Sequence, residues 1–488
     1  MLKKIKYPKV LICSFLVIAA AYCGLLHIHF ATDTYQNMET INLNWQLVVG
    51  RYSIFVLGWI FEIIGIPMVQ WQSLFMFLTI ILLSLSSYTV FKLLYNDNDE
   101  KGIIYAKVIT SLICVVNVFV TELFLFPEYV IYNGLGIYLA VLSTSIICNK
   151  ISIKGFFMAL VILIVSLGFY QANIGIFLIL SLGYVCLNRR KLREIIYIIS
   201  SGAFASLAVI AIQRYLVSSG LIEGTDRNAK MTLQTVINNL KFIMFGKEQG
   251  QFKIIYEGAD LLPKGILLFT IIIFLVSIII TIIRDKDIRK GGYVLFFVIT
   301  GYFAGYAPHL IAGGIWMSPR TIYPLFFYVG VLGIVAIQLS DKVILQRIIS
   351  IVAAAFFAIN FWAVQGIVVN HFSTNKIDQN YAHDIYSEIE RYESETGVEI
   401  KNIAPQNDMI PLWKNHFVDY YSFNMNERAF LNEWSDVTLI NYVSGRSFNR
   451  IPMDEKIFGE YFQNKDWDYY SPEEQLVFID DTLYWCKY

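Results

Sequence analysis

Long runs without ionisable residues constrain this chain more than any other feature of its sequence. From Val10 to Thr32 there is no Asp, Glu, Lys or Arg, and Gly155 to Asn188 is equally free of charge. A helix rises roughly 1.5 Å per residue, so about 20 apolar residues cross a bilayer and the sequence predicts about eleven such spans. The predicted spans are residues 8–30, 71–94, 103–124, 128–148, 155–170, 172–188, 195–216, 263–283, 292–310, 321–340 and 347–369.

Composition supports a polytopic α-helical membrane protein and shows a change of character near the C-terminus. Only 16% of residues are charged, against about a quarter in soluble proteins. Residues 371–488 hold 10 Lys and Arg against 21 Asp and Glu, so residues 1–370 carry the balancing positive charge. We therefore predict a transmembrane domain over residues 1–370 and a small acidic extracytoplasmic α/β domain over residues 371–488.

Apolar spacing predicts the elements of the C-terminal domain. The pattern favours helices over residues 381–392 and 428–442, and strands over residues 398–404 and 476–484. Gly397 follows the first of these helices, where a glycine commonly ends a helix. The fold expected here is a small α/β unit attached to the membrane part.

Lysines and arginines indicate which ends of the predicted spans face the cytoplasm. They cluster before residue 10 and around residues 92–107, 150–154, 189–193, 284–290 and 342–347. By the positive-inside rule the N-terminus is cytoplasmic, and the C-terminal domain lies outside a plasma membrane. Residues 52–66 are short and contain Glu62, so we interpret them as an interfacial helix. The first outer loop (residues 31–70) and the outer loop 217–262 then share the outer face with the C-terminal domain.

Familiar soluble-enzyme motifs are missing from the sequence. It contains no glycine-rich phosphate loop, no HExxH, no serine elbow and no nucleic-acid-binding motif. Its six cysteines follow neither a disulfide framework nor a metal-ligand spacing. We therefore expect no nucleic-acid partner and look for function at the membrane surface.

Polar residues gather where the predicted topology places the outer ends of several spans. Asp33 is the first acid after the first span, Tyr170-Gln171 occupy a tight turn between two spans, and Arg320 begins a late span. The candidate site residues are Asp33, Trp45, Arg51, Glu122, Tyr170, Gln171 and Arg320. Each of them taken alone has an alternative interpretation as an interfacial anchor or a helix cap.

The order of these motifs resembles the glucosyltransferase II family, whose members are integral-membrane enzymes of the glycosyltransferase C (GT-C) architecture. The resemblance covers roughly residues 10–370 and rests on Asp33, on Trp45 followed by Gly50-Arg51, on Tyr170-Gln171-Ala172, and on Pro319-Arg320. It implies transfer of a hexose, first of all glucose, from a polyprenyl-phosphate sugar to a glycan acceptor. The acceptor class it implies is a cell-surface polysaccharide such as a wall glycan, a teichoic acid or an O-antigen.

The same resemblance implies roles for single residues. Asp33 matches the acid that serves as catalytic base, whereas Arg51, Tyr170, Gln171 and Arg320 match motif positions without assigned roles. Many relatives carry paired acids in this loop, but here Thr32 and Thr34 flank a single Asp33. A heavy use of Ile, Lys, Asn and Tyr is typical of an AT-rich bacterial genome, which favours a bacterial plasma membrane and a wall polymer as acceptor.

The residue types suit the implied chemistry. A carboxylate such as Asp33 can remove a proton from an acceptor hydroxyl, and Arg51 or Arg320 can stabilise a departing phosphate. A single carboxylate on the attacking side favours inversion at the anomeric carbon. We expect no obligate cofactor, although Glu122 beside Asp33 leaves binding of Mg²⁺ or Mn²⁺ open. Membrane lipid is the remaining expected partner.

Two other functions fit a chain with many spans. A transporter typically carries charges near the middle of the membrane and two similar halves, and neither pattern is present here. A polysaccharide polymerase or ligase would use a lipid-pyrophosphate-linked oligosaccharide and the same kinds of residue. Only the order of the motifs favours the monophosphate-sugar enzyme over this alternative.

Overall fold

A computed structural model describes residues 7–38, 41–95, 101–149, 151–225, 228–247, 250–408, 425, 427–467 and 469–487. Helices α1–α10 are Pro8–Tyr22, Leu43–Val48, Tyr52–Ile63, Gln72–Leu94, Lys101–Ile113, Val118–Phe124, Val130–Asn149, Ile153–Phe169, Asn173–Asn188 and Leu192–Ser218. Helices α11–α20 are Leu233–Phe245, Ile266–Asp285, Ile288–Ala304, Ala307–Ile311, Pro319–Ile322, Pro324–Leu339, Val343–Thr396, Asp436–Ser444, Glu455–Ile457 and Pro472–Gln475. Strands β1–β4 are Asn402–Asn407, Asn449–Arg450, Leu476–Ile479 and Thr482–Lys487.

The predicted spans fall on helices, but helix length limits how many qualify as membrane crossings. In the described part of the chain six helical segments are long and apolar enough, and the bent pair formed by α5 and α6 makes a seventh. Helices α8, α9 and α16 are apolar but have fewer than 18 residues. The helices are compatible with a multi-pass membrane protein, and the figure of about eleven crossings stays a prediction.

Helix α3 bears on the predicted orientation of the chain. It contains 12 residues, which at 1.5 Å per residue is about 18 Å and shorter than the hydrocarbon core of about 30 Å. A helix of this length does not cross the bilayer unaided. This length is compatible with an interfacial helix, and the interpretation of residues 52–66 stays a prediction.

A bend between α5 and α6 carries Glu122 into the bundle. The two helices meet at 47°, and Asn117 connects them. Its side-chain oxygen accepts hydrogen bonds from the N–H groups of Phe119 and Val120 at 3.1 and 2.9 Å, and its amide donates to the carbonyl of Ile113 at 2.9 Å. An asparagine cap satisfies backbone groups that a helix end leaves open. The break is thereby tolerated inside the bundle, and every residue of α6 is buried.

The C-terminal region is a mixed α/β unit, as expected, but its elements differ in detail from the prediction, and the strand predicted at residues 398–404 is β1, Asn402–Asn407. Its sheet has the order β2-β1-β4-β3, in which β1 is parallel to β2 and β4 while β3 and β4 are antiparallel. The single strand predicted at residues 476–484 is a hairpin, because Asp480 adopts a left-handed conformation with φ 50° and reverses the chain. The helix predicted at residues 428–442 begins later, at Asp436, after a short 3₁₀ turn.

Helix α17 joins the membrane part to the C-terminal unit without interruption. The predicted span 347–369 and the predicted helix 381–392 both belong to it, because neither Pro nor Gly interrupts the chain between them. The helix ends at Gly397, whose φ of 73° closes it in the left-handed conformation. The predicted boundary after Asn370 thus falls within a helix, and the division into two domains stays a prediction.

The loop after the first helix packs into the core of the C-terminal unit. The rings of Phe30 and Tyr35 stack at 5.0 Å and both contact Tyr442 of α18. Asn375 of α17 accepts a hydrogen bond from the N–H of Phe30 at 2.6 Å and donates to its carbonyl at 2.7 Å. This apolar core, which also contains Ile385, forms one cluster with the sheet. Residues 30–37 are consequently held by a part of the chain that lies far away in sequence.

A buried ion pair attaches the C-terminal unit to α17, and its removal is a test of this architecture. Asp378 accepts hydrogen bonds from Arg428 Nε at 2.9 Å and from the N–H of Ala429 at 2.6 Å, and both charged side chains are buried. Breaking such a pair by removing one partner costs about 3–5 kcal/mol. We expect Asp378→Ala to lower the melting temperature and to make residues after 400 sensitive to protease.

The control for this prediction is Asn380→Ala, which changes an exposed residue of the same helix. Limited proteolysis and thermal melting of the purified protein in detergent are the measurements. Equal melting temperatures and cleavage patterns for the two variants would contradict the proposed attachment.

Candidate functional site

One cavity of about 1090 Å³ collects most of the residues that the sequence singled out. Asp33, Trp45, Arg51, Tyr170, Gln171 and Arg320 line it, whereas Glu122 does not. Further lining residues come from α9, α10, the segment 307–316 and the C-terminal unit. Residues from six separate stretches of the chain therefore meet around one space large enough for a sugar and part of a lipid tail.

Asp33 lies in a turn at the rim of this cavity. Its carboxylate Oδ1 accepts a hydrogen bond from the indole N–H of Trp434 at 3.1 Å, and the hydroxyl of Thr32 lies at 3.4 Å from the same oxygen. The amide of Asn37 donates to the Asp33 carbonyl at 2.8 Å and closes the turn. The carboxylate is held on one side only and remains partly exposed to the cavity.

Glu128 lies behind the same turn. The hydroxyl of Thr34 donates to one of its carboxyl oxygens at 2.8 Å, and Glu128 is completely buried. Its other carboxyl oxygen has no hydrogen-bond partner among the described residues. This contact ties the loop that carries Asp33 to the start of α7.

Glu122 and Arg320 form an ion pair at the wall of the cavity. Glu122 is 1% exposed and accepts hydrogen bonds from the backbone N–H of Arg320 at 2.5 Å and from its guanidinium at 3.1 Å. The guanidinium also lies over the rings of Phe126 and Trp316, at 4.7 and 4.9 Å. Glu122 therefore compensates the charge of Arg320, and the structure does not bring Glu122 and Asp33 together at the surface of the cavity.

Arg51 has a different environment. Its guanidinium lies over the ring of Tyr170, 4.8 Å from the ring centre, and its Nε is buried without a hydrogen-bond partner among the described residues. Among the described residues, no carboxylate lies within 4 Å of the Arg51 guanidinium. An arginine that a ring supports but no acid neutralises can bind an anion from the cavity.

Two glutamines hold the turn that presents Arg51. Gln171 donates to the carbonyls of Val49 and Gly50, both at 2.9 Å, and Gln213 donates to the carbonyl of Val48 at 2.8 Å. Val48 is the last residue of α2, and Val49 and Gly50 follow it, so their carbonyls have no helical partners. Gly50 has φ 76°, and a Cβ there would lie 2.5 Å from the Gln213 side chain. Gln171 thus supports Arg51 in addition to lining the cavity.

Trp45 lies at the first turn of α2 with 48% of its surface exposed. Asn42 caps this helix by accepting a hydrogen bond from the N–H of Trp45 at 3.0 Å. The indole of Trp45 contributes an exposed aromatic surface to the cavity. Trp45, which the sequence singled out, is thus a cavity residue whose ring N–H has no hydrogen-bond partner among the described residues.

Several cavity residues were not identified from the sequence. They are Gln213, Arg214, Trp316 and Trp434, and the last belongs to the C-terminal unit. Trp434 lies 401 positions from Asp33 in the chain. The predicted topology placed the C-terminal unit on the same face, but no local pattern indicates that the Trp434 side chain reaches the first loop.

Burial raises the pKa of the Glu427 carboxyl to about 7. The nearby negative charge of Asp33 also raises this pKa, whereas a hydrogen bond with Asn432 lowers it. The positive charge of Arg320 acts in the opposite direction. Glu427 is therefore partly protonated near neutral pH and is close enough to both residues to sense their charges. In the described ranges no group of three His, Cys, Asp or Glu side chains is arranged to hold a metal ion.

A family model described as glucosyl transferase GtrII matches residues 22–337, which is more than half of the chain. The chain belongs to this family. The resemblance seen in the sequence is thereby confirmed, and membership implies a glucosyltransferase that uses a sugar donor and a glycan acceptor. No curated protein and no solved structure matches the chain. The matched region of this glucosyltransferase contains Asp33, Arg51, Tyr170, Gln171 and Arg320, whereas Glu427 and Trp434 lie beyond it.

The raised pKa of Glu427 predicts a pH-dependent stability. The ordinary pKa of this carboxyl is 4.5 and its pKa in the folded protein is about 7. Between these two pH values the folded protein therefore keeps a proton that the unfolded chain has lost. The stabilisation is complete below pH 4.5 and is lost as the pH rises through about 7. As the pH rises from 4.5 to about 7, we expect the melting temperature of wild type to fall relative to that of Glu427→Gln. Above pH 7 the difference between the two melting temperatures should stay constant.

Thermal melting of both proteins at a series of pH values measures this difference. Glu460→Gln, at an exposed position of the C-terminal unit, provides the control and should follow wild type at every pH. A Glu427→Gln profile parallel to wild type from pH 4.5 to 7 would show that Glu427 does not carry the raised pKa.

Proposed function

We propose that this glucosyltransferase moves a hexose, glucose by its family, from a polyprenyl-phosphate sugar to a cell-surface polysaccharide at the outer face of a bacterial plasma membrane. The observation that carries the proposal is a cavity shared by a partly exposed carboxylate, Asp33, and by Arg51, which has no acid partner among the described residues. A carboxylate and an unneutralised cation are the two groups that such a transfer requires.

The donor side of the proposal rests on Arg51 and on the apolar wall beside it. Leu178 of α9 and Val209 and Ile210 of α10 line the cavity, and they offer the surface that a prenyl chain would cover. The Arg51 guanidinium, backed by Tyr170, then faces the phosphate and compensates the charge that it gains as the sugar departs. Arg320 contributes less to this step because Glu122 neutralises it.

The acceptor side rests on Asp33. Its free carboxylate oxygen would accept the proton of an acceptor hydroxyl while the hydroxyl oxygen bonds to the anomeric carbon and the lipid phosphate leaves with the bonding electrons. This single displacement inverts the anomeric configuration. A second carboxylate for a covalent intermediate is not required, which agrees with the single acid in the turn.

Replacing Asp33 tests the proposed base. Asp33→Asn preserves shape and removes the proton acceptor, so we expect transfer to fall by about 10²–10⁴-fold. The measurement is the monosaccharide composition of surface polysaccharide from cells that lack the protein, complemented with wild type or with Asp33→Asn at matched protein levels. One side-branch sugar should vanish on deletion and return only with wild type.

The control for this experiment is Asp466→Asn, at an exposed position of the C-terminal unit, which should restore the sugar fully. Restoration of the sugar by Asp33→Asn would mean that Asp33 is an interfacial anchor. An unchanged composition combined with much shorter chains would instead favour a polymerase or ligase that uses a lipid-pyrophosphate-linked oligosaccharide.

The two arginines should respond differently to neutralisation. Arg51→Gln removes the phosphate partner without leaving a buried acid unpaired, so we expect transfer to fall about 10²–10³-fold at an unchanged melting temperature. Arg320→Gln leaves Glu122 buried without its cation, so we expect a loss of stability of about 3–5 kcal/mol. Turnover of purified protein with polyprenyl-phosphate glucose and its thermal melting are the measurements.

Arg289→Gln, at an exposed position outside the cavity, serves as the matched control for both arginine variants. Full turnover in Arg51→Gln, or an unchanged melting temperature in Arg320→Gln, would contradict the assigned division of roles.

A further inference from the structure

Among the described residues of the C-terminal unit, Trp434 is the one that lines the cavity, and it is hydrogen-bonded to Asp33. It lies outside the region that the family model matches. We infer that Trp434 builds the acceptor side of the active site: its indole N–H positions the Asp33 carboxylate, and its exposed ring face receives a pyranose ring of the acceptor glycan. This inference rests on the proposed function, in which Asp33 removes the acceptor proton.

The geometry of Trp434 supports both parts of this assignment. The hydrogen bond from its Nε1 to Asp33 Oδ1 is 3.1 Å long, so the edge of the indole directs one carboxylate oxygen and leaves the other available. The side chain is nevertheless 46% exposed, because the bond uses only the edge of the ring. The negative face of an aromatic ring attracts the weakly positive C–H groups on the flat side of a sugar.

The position of Trp434 is fixed by its neighbours. The segment before it is attached to α17 through the bonds from Arg428 and Ala429 to Asp378. The hydroxyl of Ser435 donates to the carbonyl of Ala429 at 2.6 Å and closes the turn that carries Trp434. An aromatic side chain on such a supported turn loses little freedom when a ligand stacks on it.

Charge distinguishes the acceptor side from the donor side. Beside Trp434 the cavity holds the carboxylate of Asp33, to which the indole N–H is bonded. A carboxylate repels a lipid phosphate, whereas a neutral sugar hydroxyl can donate a hydrogen bond to it. Arg51, which has no acid partner among the described residues, and the apolar residues of α9 and α10 belong to other segments of the cavity wall. A neutral pyranose is therefore the occupant that suits the Trp434 side.

Two variants separate the positioning role from the stacking role. Trp434→Phe keeps an aromatic face and loses the N–H, so we expect kcat to fall about tenfold or more with the acceptor KM nearly unchanged. Trp434→Ala loses both, so we also expect the acceptor KM to rise about three- to tenfold. The donor KM should stay at the wild-type value in both variants.

The assay uses full-length protein in detergent, polyprenyl-phosphate glucose as donor, and polysaccharide purified from cells that lack this protein as acceptor. Trp71→Ala, which removes an indole that is also 46% exposed but lies outside the cavity lining, is the control. Wild-type kcat and KM values in both Trp434 variants, or an effect confined to the donor KM, would overturn the inference.

The same assay separates this inference from the proposed function. If wild type transfers glucose and the Trp434 variants do so equally well, only the inference fails. If wild type itself transfers nothing from this donor to this polysaccharide, the proposed function fails and the inference falls with it. Should Trp434→Ala melt at a lower temperature than wild type, the kcat and KM of Trp434→Phe decide the outcome.

Discussion

The carboxylate of Glu122 is buried among apolar helices, and Arg320 provides the cation that pairs with it. Glu122 is 1% exposed and accepts both the backbone N–H and the guanidinium of Arg320. An unpaired charge in this position would cost several kcal/mol in lost solvation. The pair therefore requires α6 and the start of α15 to meet, and the wall of the cavity follows from that meeting. The cap of Asn117 makes it possible by bending the chain just before Glu122.

The same pair gives two arginines of one cavity different properties. Arg320 is neutralised and supported between rings, whereas Arg51 rests on Tyr170 and lacks an acid partner in the described part of the chain. Two glutamines, Gln171 and Gln213, hold the backbone before Arg51 through its carbonyls. These glutamines face the cavity and also bind backbone carbonyls. Such bonds are needed because non-helical backbone in an apolar environment must find hydrogen-bond partners within the protein.

The loop that carries Asp33 depends on residues from the other end of the chain. Phe30 and Tyr35 pack into the C-terminal core, and Asn375 bonds both backbone groups of Phe30. The catalytic function proposed for Asp33 thus depends on a loop that α17 and the C-terminal core hold in place. A base must be placed accurately to be effective, so this shared packing connects the fold of the C-terminal unit to the chemistry proposed for the cavity.

By itself the sequence determined the helical class, the positions of the apolar segments, the mixed α/β character of the C-terminal unit and the family. It also singled out six residues that line the cavity. These features follow from hydropathy, helix period and motif order, which local sequence records. Tertiary structure alone decided that Glu122 faces Arg320, that Gln171 holds backbone carbonyls and that Trp434 reaches Asp33. A polar side chain takes whichever partner folding brings within about 3 Å, and that choice depends on segments hundreds of residues apart.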